Sequence, residues 1–191
     1  PFSLMTKLVA DPITPVFLAG SGIGAEEDPE VALVEACLEL ATAHVRDYVE
    51  RQVAAGARAI FVAEPAANKV YLSPRQLEAG PELLDKFVLG PNRQVADFLA
   101  ARGVDLLFHC CGELVNPLLD GFCSLQPAML SLGSSRRLWE DAARVPKDIV
   151  LYGNLPSKQF YSDHLAADDR VAALAAELVA RMRTAGHPFI L

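Results

Sequence analysis

The sequence predicts an α/β fold built on a parallel sheet. Short apolar runs alternate with helical patterns, and each run is continuously apolar rather than alternating with polar residues. Continuous apolar strands are buried on both faces, which is the mark of a parallel sheet covered by helices. About five such strands can be counted, and nothing in their spacing gives their order. A doubly wound sheet and an incomplete (β/α)8 barrel both fit.

Taken in order, residues 2–9 read as a short helix broken by Pro12 and Pro15. Gly20-Ser21-Gly22-Ile23-Gly24 follows as a flexible loop. It has neither G-x-G-x-x-G spacing nor a Walker Lys-Ser/Thr, so it is a poor phosphate cradle. Asp28 is placed as the N-cap of a long helix with Pro29 in the first position. Val31, Val34, Leu38, Leu40, Ala41, Val45, Tyr48, Val49 and Val53 recur along it at three and four, to a stop near Gly56. Cys37 and His44 fall within it as packed or solvated helix residues.

Ala59–Ala63 is a buried strand ending in Glu64-Pro65. Ser73-Pro74 caps a short helix, residues 83–89 form a further segment, and residues 92–101 are helical until Gly103. Residues 104–108 are the next strand, which delivers His109. Gly112 opens a helix over 113–119, residues 128–132 form a strand, and Trp139 lies on the helix after it. Residues 148–152 are a strand leading into Gly153-Asn154-Leu155-Pro156. Asp168–Ala185 is an Ala-rich helix stopped by Gly186, and Pro188-Phe189-Ile190-Leu191 begins a last strand.

With 191 residues, the stretch 1–191 is one domain or part of one, long enough to bury a substantial core. It lacks an initiator Met and closes on a strand-like run, and it is read as a segment of a longer protein. No apolar run reaches the roughly 18–20 residues that span a bilayer, and no basic-then-apolar leader is present, so no membrane partner is expected. A net charge of −7 without a basic cluster argues against nucleic acid. Four cysteines, at 37, 110, 111 and 123, do not make a secreted disulfide framework. A cytoplasmic chain with thiols reserved for metal or catalysis is expected.

The chemistry centres on Leu106-Leu107-Phe108-His109-Cys110-Cys111-Gly112. If the strand ends at Phe108, the Cβ atoms of His109 and Cys111 lie on one side and Cys110 points away. Imidazole and thiolate suit zinc, which takes N and S ligands without a geometric demand of its own. Cys110 reads as a buried small hydrophobe, and would replace Cys111 if the strand ended a residue earlier. Parallel strands carry their chemistry at their carboxyl ends. Glu64, His109 with Cys111, and Asn154 each follow a strand, and are expected at one rim. Glu64 reads as a metal ligand, a base or a salt-bridged strand end. Asn154 reads as a substrate contact or a brace for its turn. Lys158, Tyr161, Ser162 and Asp163 either line the pocket or start a solvated helix.

Five stretches in order resemble the superfamily of uroporphyrinogen decarboxylases and their corrinoid-dependent methyltransferase relatives. Pro1-Phe2-Ser3-Leu4-Met5 is similar to the family's G-P-F-S/T-L segment, and Gly56-Ala57-Arg58-Ala59-Ile60 to its a-G-A-d-a-i. Glu64-Pro65 with Leu72-Ser73-Pro74 resembles D/E-P followed by I/L-S-P. Phe108-His109-Cys110-Cys111-Gly112 resembles H-x-C-G, and Tyr152-Gly153-Asn154-Leu155-Pro156 resembles G-N-L-D/P. The resemblance implies a TIM-type barrel lacking its first and last β/α units.

Two chemistries compete within the superfamily. The decarboxylases hold a tetrapyrrole's acidic chains with arginines from an amino-terminal part that has no counterpart here. They also carry a Tyr shortly after P-W/F-T-L, where Lys7 stands in this chain. The methyltransferases hold zinc with the His and Cys of H-x-C and a later Cys. The resemblance therefore makes His109 and Cys111 zinc ligands, sets the third just past Leu191, and leaves Cys123 aside. It implies zinc-dependent methyl transfer from a methylated corrinoid, or a related donor, to a thiol. A corrinoid protein is the implied partner, and Glu64 would tune the site or take the proton. The alternatives are a metal-free decarboxylase and a non-catalytic barrel that binds a corrinoid or a partner protein.

Overall fold

Among the described residues, five short strands form one parallel sheet: β1 (Ala59–Ala63), β2 (Asp105–Cys110), β3 (Met129–Leu132), β4 (Val150–Tyr152) and β5 (Phe189–Ile190). Their order across the sheet is β1-β2-β3-β4-β5. A doubly wound sheet reverses direction at a switch point, whereas a barrel adds each strand beside the last. The sequential order is that of part of a (β/α)8 barrel, and the doubly wound alternative falls. The computed structural model describes residues 1–157, 160 and 168–191. The polar run Lys158, Tyr161, Ser162 and Asp163 lies outside the described residues.

The helices are α1 (Phe2–Met5), α2 (Ile13–Gly20), α3 (Pro29–Ala54), α4 (Pro74–Ala79), α5 (Glu82–Leu84), α6 (Gly90–Ala100), α7 (Asn116–Ser124), α8 (Leu138–Asp141) and α9 (Asp168–Ala185). A π turn, Asp85–Leu89, links α5 to α6. Asp28 caps α3 as expected, its Oδ1 accepting from the amides of Glu30 (2.8 Å) and Val31 (3.0 Å). Val31, Val34, Leu38, Ala41 and Val49 form the buried stripe. Leu40 and Tyr48, expected in it, are exposed: Leu40 lies on the opposite side of the helix, and Tyr48 at the stripe's edge. Gly103 follows α6 with φ +64°, a conformation glycine takes without strain.

Three expectations need correction. Pro12 and Pro15 do not break the chain but start α2, with Pro12 at the N-cap. First-turn amides have no intrahelical acceptor, so a proline there loses nothing. Asp11 Oδ1 accepts instead from Ile13 (2.9 Å) and Thr14 (3.2 Å). The helix expected over 113–119, with Gly112 opening it, begins only at Asn116. Pro117 fits a first turn and not a second, which moves the start. Strand β2 runs two residues past Phe108, because Cys110 and His109 both pair with β3. Among smaller differences, Ser73 makes no side-chain cap bond, and Pro74 alone marks the start of α4.

Alternation along the strands divides the sheet into two faces. Ile60, Val62, Leu106, Phe108, Cys110, Leu130, Leu132 and Leu151 are buried. Phe108 packs against Phe122 of α7 with ring centroids 5.0 Å apart. The other face carries the in-register row Ala63, His109, Ser131, Tyr152 and Ile190. Among the described residues no helix is long and apolar enough to cross a membrane.

Candidate functional site at the carboxyl rim

The alternation of β2 puts His109 on the open face and buries Cys110 completely. Cys111, one residue beyond the strand, is exposed. His109 and Cys111 both line a cleft of about 380 Å3 over the carboxyl ends of β2, β3 and β4, together with Ser134, Tyr152, Asn154 and Leu155. The structure thus brings His109 and Cys111 to one cleft.

Two contacts fix the His109 ring. Its Nδ1 lies 2.9 Å from the Ser131 hydroxyl oxygen, on the in-register residue of β3. Its face stacks on Phe61, with centroids 5.7 Å apart and planes inclined by 29°. Burial holds the imidazole below its ordinary value, against an opposing hydrogen bond to the Ser131 backbone. A neutral imidazole is the form that offers a lone pair to a metal. Cys110 is the opposite case. Burial pushes its thiol up to about 12, helped by the nearby Cys111 and Glu64, and its Sγ lies 3.4 Å from the Ala67 carbonyl oxygen. It serves as core.

Glu64 follows β1 at the rim, but its side chain points the other way. It shares the face of Ile60 and Val62, is fully buried, and is absent from the cleft wall. Its carboxylate accepts from the amides of Phe2 (3.0 Å) and Ser3 (2.6 Å) and from Asn92 Nδ2 (2.9 Å). The Ala66 amide donates back to Ser3 Oγ at 3.0 Å. These bonds tie α1 to the end of β1, so the expectation that Glu64 faces the same cleft as His109 is not met.

Asn154 does reach the cleft. Its Nδ2 donates to the carbonyls of Gly133 and Arg136, both at 2.7 Å, bracing the turn after β4 against the turn after β3. Cys123 lies near the end of α7, half-buried, with its thiol raised to about 11 by burial and the nearby Asp120 and Asp141. It is not part of the cleft wall. Ser131 and Phe61 were missed in the sequence, because only strand register brings them to His109.

Among the described residues, no group of three or more His, Cys, Asp or Glu side chains converges to hold a metal ion. His109 and Cys111 supply a partial set, one nitrogen and one sulfur, of the three or four donors zinc takes. A larger cleft, about 600 Å3, is lined by Arg136, Arg137 and Arg144. All three are paired, with Asp141, Glu140 and Asp120 respectively.

A sequentially ordered parallel sheet with a cleft at the carboxyl ends of its strands defines a protein of the (β/α)-barrel type. A family model of uroporphyrinogen decarboxylase (URO-D) matches residues 26–191, and the chain belongs to that family. Among solved structures, a methyltransferase from Methanosarcina mazei is similar in fold, with a TM-score of 0.52 and 22% identity. The match covers 74% of this chain and 40% of that one, so this chain spans well under half of that protein's length. A search of curated proteins finds no match to the chain.

Proposed function

We propose that this chain is part of an enzyme that transfers a methyl group from a methylated corrinoid to a thiol, with zinc held in part by His109 and Cys111. The observation that carries this reading is the meeting of those two side chains in one cleft at the carboxyl rim. His109 would supply an imidazole nitrogen and Cys111 a thiolate, with the third donor from residues following Leu191 in the whole protein. Bound zinc would favour the thiolate form of a thiol substrate near neutral pH, making it nucleophilic. The chain's own residues would do the rest. Phe61 and Ser131 would hold the imidazole in place, while Asn154 would keep the two rim turns at a fixed spacing. Leu132, Tyr152 and Leu155 would give the cleft an apolar wall that limits water around the reacting sulfur. A corrinoid protein is the proposed donor partner. The free state of all four cysteines supports a reducing compartment, and the cytoplasm is proposed.

The second reading is a metal-free decarboxylase, favoured by the family to which the chain belongs. The arginines for such a substrate's carboxylates would come from the amino-terminal part of the whole protein. That reading leaves the meeting of His109 and Cys111 in one cleft without a role.

The test is the zinc content of the purified full-length protein beside its His109→Ala and Cys111→Ser variants. Near-stoichiometric zinc, lost in both variants, is expected. Methyl transfer from methylcobalamin to a small thiol is then the activity to measure. A full-length protein without zinc would overturn the metal reading and direct the assay to decarboxylation.

A further inference from the structure

Resting on that reading of the site, we infer that Ser131 is a positioning residue for His109, selecting the tautomer that carries its proton on Nδ1. A free imidazole favours neither orientation nor tautomer strongly enough to serve as a fixed ligand, and something must choose. The side chains of β2 and β3 make the choice here. His109 and Ser131 are direct register partners, and Nδ1 and the hydroxyl oxygen lie 2.9 Å apart. Ser131 is 5% exposed, so water does not compete freely for that hydroxyl. With Nδ1 engaged by the hydroxyl, Nε2 is the nitrogen left for a metal, and a metal there needs its lone pair. A hydroxyl accepts as readily as it donates, so Nδ1 then carries the hydrogen and Ser131 Oγ accepts it.

Phe61 completes the constraint from a different strand. Ser131 pins the ring edge and Phe61 its face, and the pair removes rotation about both side-chain bonds. His109 is thereby prepared before any metal arrives, whereas Cys111, exposed beyond the strand, is free to adjust. Sheet register supplies this division of labour.

The test uses the whole chain labelled with 15N-histidine, in the absence of metal. Its four histidines give four imidazoles, and His109→Gln identifies the signal of interest. In the wild type the His109 signal should report Nδ1–H and a bare Nε2. Ser131→Ala should move it toward a mixture of tautomers, and Ser131→Thr, which keeps a hydroxyl on a side chain suited to a strand, should restore it. Competition with a chromophoric chelator should show zinc held about tenfold more weakly by the Ala variant. An unchanged tautomer in Ser131→Ala would overturn the inference, as would a Thr variant that behaves like Ala. Neither outcome depends on zinc. If the wild type instead shows the expected tautomer but takes up no zinc in the full-length protein, the proposed function fails while the role of Ser131 stands.

Discussion

Gly133 lies directly against the backbone of Cys111. The Gly133 amide donates to the Cys110 carbonyl at 3.1 Å, and a Cβ at position 133 would stand 2.8 Å from both the Cα and the carbonyl carbon of Cys111. Backbone atoms cannot swing aside as a flexible side chain can, so Gly133→Ala must push Cys111 out of place. We expect a loss of about 1–3 kcal/mol in stability from overpacking. Zinc binding should weaken although neither donor is touched. Urea denaturation with a parallel zinc titration would measure both, and a variant matching the wild type in each would refute the contact.

The adjacent cysteines should differ sharply toward alkylating reagents. Cys111 is exposed, whereas Cys110 is buried and its thiol is raised to about 12. Thiolate is the reacting form, so iodoacetamide near neutral pH should label Cys111 long before Cys110. Cys123, raised to about 11, should also lag. Peptide mass spectrometry over a time course resolves the sites. Equal labelling of 110 and 111 in the folded protein would contradict the face assignment of β2.

Glu64 is expected to matter for folding and not for metal. Glu64→Ala leaves the amides of Phe2 and Ser3 and the amide group of Asn92 without an acceptor in a dry site. A loss of about 3 kcal/mol is expected, since removing a buried carboxylate strands its donors. Glu64→Gln keeps one acceptor oxygen and should lose less. Zinc bound per folded molecule should stay at the wild-type level. A stable Glu64→Ala variant that binds no metal would return Glu64 to the site.

His109 also sets a pH dependence. Burial lowers its pKa from the ordinary 6.5, so below that pH the unfolded chain binds more protons at this position than the folded one. Its contribution is fully present above pH 6.5 and is lost as pH falls toward the depressed folded value. In the metal-free chain, melting temperatures followed from about pH 8 down to about pH 5 should fall more steeply for the wild type than for His109→Gln. Parallel profiles would show that His109 titrates as if exposed.

Much of this was legible before any coordinates. Ala59–Ala63 and Asp168–Ala185 have the bounds their apolar and Ala-rich patterns suggest, and Asp28 caps α3 through its own carboxylate. Each is a local effect, decided within a few residues. The burial of Glu64 was legible too, since it stands two residues after Val62 and four after Ile60 and so belongs to their face. Counting strand ends placed it at the rim; counting parity turns it inward. The start of α2 was misjudged because Pro12 and Pro15 were read as breakers, and that of α7 because Pro117 was passed over as a first-turn residue.

Sequence by itself determined the parallel α/β class, the pairing of His109 with Cys111 on one side of β2, and the membership of Cys110 in the core. Continuous apolar runs between helical patterns suffice for the class, and the parity of positions along one strand suffices for the other two. Tertiary structure alone decided the sequential order of the strands, the bond from His109 to Ser131 22 residues away, and the tie from Glu64 to residues 61 and 62 positions before it. A strand's pattern states which way each side chain points, but not which strand lies beside it. Neighbours and register are chosen by how the whole sheet packs against its helices, and the site's supporting contacts are made between those neighbours.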